Sequence, residues 1–173
     1  MKKLIMLPPL SFTEALSASV NKIFQVKGRS RRSEFWWTKL VVFLAGFVLT
    51  PIASFILEII TIPLNIRRLH DTGRSGWWYV ILIILEALLV VFFIIDYIML
   101  IVGLSTGSSH HPSGNNIPFV LLSFIAKYVV WVILVNVYQI VLLIFQCLDS
   151  EQETNKYGES PKYKILEEEN EEM

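Results

Sequence analysis

Trp77–Leu104 reads WWYVILIILEALLVVFFIIDYIMLIVGL, 28 residues in which Glu86 and Asp96 carry the only charges. At 1.5 Å per residue this is about 42 Å of helix, more than the roughly 30 Å hydrocarbon core of a bilayer, and it predicts one long, tilted transmembrane helix. Ile117–Leu148 (32 residues) predicts a second, about 48 Å long on the same rise. Ser105–Asn116, STGSSHHPSGNN, is polar and rich in turn residues, so a loop in water should join the two as an antiparallel hairpin. The whole chain agrees: 54% of its 173 residues are hydrophobic and 17% charged, against roughly a quarter charged in ordinary soluble domains.

On the N-terminal side, Phe35–Ile66 is long for one span and short for two. Thr50-Pro51 resolves it, because threonine is a good N-cap and proline suits the first helical position. Arg31–Thr50 and Pro51–His70 then make two helices of about 30 Å each; one helix kinked at Pro51 is the other reading of the same length. Orientation favours two. Gly28-Arg29-Ser30 precedes Trp36-Trp37, and Gly73-Arg74-Ser75 precedes Trp77-Trp78. Tryptophans seat at headgroup depth and basic residues stay cytoplasmic, so both entrances belong inside, with an even number of crossings between them.

Ahead of these spans, Ser11-Phe12-Thr13-Glu14 has the pattern of a capping box. Phe12, Ala15, Leu16, Val20, Ile23 and Phe24 follow it at helical spacing, which predicts an amphipathic interfacial helix over residues 11–26. A cleaved signal peptide fits less well, since Leu4–Leu10 is short and broken by Pro8-Pro9. The expected fold is therefore an all-α polytopic membrane protein. An N-terminal amphipathic helix and basic entrance (1–30) precede a transmembrane domain (31–148), whose four helices at about 31–50, 51–70, 77–104 and 117–148 form two antiparallel hairpins. The loop 105–116 should lie outside and an acidic cytoplasmic tail (149–173) follow.

Charge is segregated along the chain. Residues 1–34 carry seven basic side chains against two acids, and residues 149–173 nine acids against three lysines. This is a membrane-protein layout rather than a nucleic-acid-binding one. Cys147 is the only cysteine, which rules out an internal disulfide and a thiolate metal cluster.

VKGRSRRSEFWW (Val26–Trp37), RRLHDTGRSGWW (Arg67–Trp78) and NKYGESP (Asn155–Pro161) together resemble the bacterial inner-membrane family called domain of unknown function 805. The resemblance covers about residues 11–104 and 146–163. It implies a multi-pass protein of the bacterial cytoplasmic membrane with both termini cytoplasmic, and brings no reaction with it.

Arginine offers a bidentate fork for phosphate or carboxylate. Arg67, Arg68, His70, Asp71 and Arg74, with Arg29, Arg31 and Arg32, are thus candidates for binding an anionic lipid headgroup or an acidic partner segment. Trp36, Trp37, Trp77 and Trp78 would be the interface anchors. A purely topogenic basic loop is the plainer alternative, and the glutamates of Leu166–Met173 could screen the same surface. Within the apolar blocks, equal distance from the loop matches Asp96 with Lys127 and Glu86 with Asn136, while Lys39 should snorkel. These intramembrane polar groups would serve helix pairing within the chain, with another membrane protein or with a second copy; the competing function is a small channel or transporter subunit. No nucleophile–base set and no metal-ligand spacing can be assembled, His110-His111 included, so neither catalysis nor a cofactor or metal is expected.

Overall fold

The computed structural model describes residues 2–106 and 117–167. Most of the expected outer loop and the glutamate-rich end of the tail lie outside them. The described chain is helical apart from one small sheet. Its elements are β1 (Lys2–Met6), α1 (Phe12–Asn21), α2 (Arg32–Val48), α3 (Pro51–Ile60), α4 (Ile62–Asp71), α5 (Trp77–Thr106), α6 (Ile117–Cys147) and β2 (Tyr163–Glu167).

The helix starts are local chemistry. Ser11 caps α1, its hydroxyl accepting from the Glu14 amide while the Glu14 carboxylate accepts from the Ser11 amide at 2.9 Å. α1 is shorter than expected, ending at Asn21. It lays Ala15 and Ser19 against α2, where Ser19 and Thr38 share a 2.7 Å hydroxyl hydrogen bond and Phe12 meets the edge of Trp37. Val20 and Phe24 stay exposed, as an interfacial segment requires. At the next boundary Thr50 caps α3 by accepting from the Ala53 amide, with Pro51 at the first helical position.

α3 and α4 form one bent rod. The Thr61 amide donates back to Leu57 and Glu58, and its carbonyl accepts from the Asn65 amide, so the ladder continues. Pro63, in the first turn of α4, has no N–H to give, which accounts for the bend. α3 has no buried residue, whereas every residue of α4 from Leu64 to Asp71 is buried. The segment expected to span from Pro51 to His70 therefore ends in a polar, protein-covered stretch. Gly73, at φ 73°, stops α4 by taking the left-handed conformation at which a side chain would be strained, and the Arg74 amide closes the turn on the Leu69 carbonyl.

The chain divides into two compact units: residues up to Tyr79 together with those from Leu143 onward, and Val80–Leu142. The first has Ala15, Phe35, Leu64, Ile66 and Leu69 at its core. It also contains what the sequence did not predict, a two-stranded antiparallel sheet with Leu4 opposite Ile165 and Met6 opposite Tyr163, extended by the Leu7 amide donating to the Lys162 carbonyl at 2.8 Å. Of the described residues, the second unit holds α5 from Val80 onward and α6 as far as Leu142. Two helices, over Trp77–Val102 and Phe124–Cys147, are long and apolar enough to cross a membrane.

Candidate functional site

The densest polar cluster lies in the first unit, where the three quoted motifs meet. Asp71 is at its centre, on the last turn of α4. Its Oδ1 accepts from Arg29 Nε at 2.9 Å and its Oδ2 from Arg68 Nη1 at 2.5 Å and from the Ser150 hydroxyl. All three charged side chains are at most 1% exposed. A buried carboxylate flanked by two guanidiniums is tolerated because the remaining donors are also satisfied. Arg68 gives Nε to the Gln146 carbonyl at 2.9 Å and Nη2 to that of Leu148. Arg29 reaches the carbonyls of Glu151 at 2.6 Å and Glu153 at 2.8 Å, so it ties the start of α2 to the tail beyond α6.

Arg67 points to the other side of α4. It donates to the carbonyls of Lys22 and Gln25 and to Glu34 at 3.2 Å, holding the turn after α1. His70 sets its Nδ1 3.2 Å from the Gly28 carbonyl and stacks on Tyr157, ring centroids 3.7 Å apart and nearly parallel. Asn155 donates to the His70 carbonyl at 3.0 Å. Burial holds the His70 imidazole below its ordinary pKa; the Gly28 carbonyl opposes this and Lys156 adds to it. Burial pushes the Asp71 carboxyl up, against the pull of Ser150, Arg68 and Arg29. At Gly76 an added Cβ would sit 2.5 Å from Ile66 Cγ2, so the motif's second glycine is a close approach of backbone to α4.

The guanidiniums of Arg29, Arg67 and Arg68 that were expected to face a ligand thus face the chain itself, with Arg67 Nε the one donor among them that is buried without a partner among the described residues. Arg74 lays its guanidinium 4.2 Å over the Phe145 ring and donates to the Thr72 carbonyl. Arg31 donates to the carbonyls of Leu7 and Pro8, and Arg32 is exposed with no hydrogen-bond partner among the described residues. Arg31 and Arg32, with Lys162, Asp149, Ser33, Met6, Leu7 and Pro9, line a cleft of about 310 Å³. Lys162 grips Asp149 at 2.5 Å, which lowers the carboxyl's pKa below the usual carboxylate range. Trp36, Trp37, Trp77 and Trp78 are all exposed, as anchors at a membrane surface would be.

A family model described as "protein of unknown function (DUF805)" matches residues 45–159. The chain belongs to the DUF805 family. No curated protein and no solved structure matches it. The match takes in the second motif of this DUF805 chain and the third as far as Glu159, and leaves out the first, yet Arg29, Ser30 and Glu34 of that first motif complete the buried cluster. Glu34, Ser150, Asn155 and Tyr157 had no role in the sequence reading. Their signal was membership of, or adjacency to, the same three motifs.

The cluster also bears on the path of the chain. Arg29 before α2 and Asp71 at the end of α4 are in contact, so residues 31–70 fold back to where they start. In the other unit Asp96 accepts from Lys127 and from the Tyr128 hydroxyl, both at 2.5 Å, which is the expected pair. Glu86 takes Gln139 at 2.7 Å instead of Asn136, whose amide donates to the Val132 carbonyl of its own helix. The partner numbers rise as the α5 numbers fall, as antiparallel neighbours require. Lys39, expected to snorkel, pairs with Glu58 at 3.0 Å.

Proposed function

We propose that this is a four-span, non-enzymatic protein of the bacterial cytoplasmic membrane that binds anionic phospholipid headgroups with the cations its buried cluster leaves free. α2 crosses outward and α3 with the start of α4 crosses back; α5 and α6 repeat the excursion. Both termini then lie on the cytoplasmic side, in agreement with the pairing of β1 and β2. The exposed apolar tip of the first hairpin, with Phe43, Phe47, Val48, Ile52 and Phe55, needs lipid around it.

The observation that carries the binding role is the cleft at Arg31, Arg32 and Lys162. Three cations against one acid give it net positive charge, its remaining wall of Met6, Leu7 and Pro9 is apolar, and it opens within two helical turns of Trp36-Trp37. That combination suits a phosphate attached to a greasy body. Ion conduction by Glu86 and Asp96 has less support, because both carboxylates already hold side-chain partners.

The test is lipid retention by the full chain in phosphatidylcholine nanodiscs doped with phosphatidylglycerol, counted by native mass spectrometry. Arg31→Gln with Arg32→Gln should lower phosphatidylglycerol retention about tenfold, roughly 1.4 kcal/mol, with the unfolding midpoint unchanged. Unchanged retention would reject the cleft, and capture of an acidic peptide without lipid preference would replace the headgroup by a protein partner.

A further inference from the structure

The pair Asp96–Lys127 lies on membrane-crossing helices and is not sealed. The Lys127 side chain is 59% exposed and that of Asp96 33%. Lys127 has two ammonium donors left after Asp96 takes one, and Asp96 Oδ1 accepts from nothing among the described residues. A groove of about 190 Å³ begins at Lys127, beside Asp96, and is bounded by Leu89, Phe92, Lys127, Tyr128 and Trp131. The indole N–H of Trp131 is buried with no partner among the described residues, which costs on the order of 1–3 kcal/mol if nothing satisfies it.

Helix arithmetic sets the depth. Asp96 is 18 residues beyond Trp78, about 27 Å along α5, and Lys127 is 20 residues before Cys147, about 30 Å along α6. A hydrocarbon core is roughly 30 Å thick, so on membrane-crossing helices the pair lies toward the headgroup layer at the loop end of α5 and α6. Leu89 and Phe92 precede Asp96, and Trp131 follows Lys127. The groove therefore runs from the charged pair back toward the bilayer centre.

We propose that this groove holds a zwitterionic phospholipid bearing a primary ammonium. Its phosphate meets Lys127, its ammonium meets Asp96, and its first acyl segment lies along Leu89, Phe92 and Trp131. The site's own charge selects the headgroup. One cation beside one anion matches a phosphoethanolamine, whereas a purely anionic headgroup would face Asp96 at contact distance and a choline would offer it no N–H. Such a site requires α5 and α6 to cross the bilayer and owes nothing to the cleft at Arg31 and Arg32.

Nanodiscs of phosphatidylcholine doped with phosphatidylethanolamine or with phosphatidylglycerol test it, with retained lipid counted by native mass spectrometry. The full chain should hold phosphatidylethanolamine over phosphatidylcholine about tenfold. Asp96→Asn with Lys127→Met should bring the ratio to parity, and so should Leu89→Trp, which fills the groove and leaves the pair intact. Arg31→Gln with Arg32→Gln should leave the ratio alone. Parity in the unaltered chain overturns the proposal, as does phosphatidylglycerol held as well as phosphatidylethanolamine, or a disulfide joining two copies at Lys127→Cys in a Cys147→Ser background, which would make the groove a seam between chains. Side-specific labelling at Ser75→Cys and Tyr97→Cys separates the two ways to fail. Labelling from opposite faces with lipid parity sinks the groove alone; labelling from one face sinks the crossing with it.

Discussion

The chain holds two clusters built from the same parts, acid and base in ion pairs, in opposite settings. Around Asp71, two guanidiniums and a hydroxyl close on one carboxylate with almost no exposure. Around Asp96, an ammonium and a phenol reach one carboxylate oxygen and leave the other open. The first cluster ties segments from the start of α2, the end of α4 and the tail, so each partner left unpaired would be a charge without water. The second joins adjacent helices that also touch through Phe93, Phe124 and Tyr128. Charge in a membrane protein is therefore not by itself a sign of a ligand: what distinguishes a fastening from a site is whether the donors are used up.

The contrast can be broken most forcefully at its centre. Asp71→Ala strands Arg29 and Arg68 in a buried environment and should cost about 3–5 kcal/mol, read as a fall in the denaturant midpoint of the purified protein. A loss below about 1 kcal/mol would mean that water reaches the cluster. Acid should act next, on His70. Its pKa is lowered in the folded state, so the unfolded chain takes a proton first as pH falls below the ordinary value of 6.5. Stability is fully present above that value and declines as pH drops toward the lowered folded pKa, by at most about 1.4 kcal/mol per pH unit. His70→Gln should flatten that part of the profile, and an equally steep decline in the variant would remove His70 from the account. Smallest of all should be Asp96→Asn, which keeps the shape and leaves the denaturant midpoint within error. A midpoint shift as large as that of Asp71→Ala would erase the distinction between the two clusters.

What was legible in the sequence was local or metric. The Ser11–Glu14 box and the Thr50-Pro51 start are written within four residues, and both are found. Asp96 and Lys127 were matched because equal distance from a connecting loop sets equal height. Height does not set azimuth, however: Asn136 and Gln139 differ by less than a turn in height, and only Gln139 faces Glu86. The cluster around Asp71 was visible as three motifs, but the direction of its donors was not, since a string of arginines looks the same whether they point to lipid or to carbonyls 78 to 129 residues away. β1 was not legible at all. Nothing in KKLIM states that its partner is YKILE at the far end of the chain.

The tail that follows α6 closes on the buried cluster late in the making of the molecule. Residues 148–153 are synthesised after α1 to α6, so until they emerge Arg29 lacks the carbonyls of Glu151 and Glu153, Arg68 lacks that of Leu148, and Asp71 lacks the Ser150 hydroxyl. On the proposed four-span topology the two arginines are, during that interval, positive charges only partly covered beside nascent helices, which is the condition under which basic residues hold a loop in the cytosol. Once the tail arrives the same guanidiniums are enclosed. On that topology the tail acts as a time stamp: its docking converts a signal for orientation into a lock.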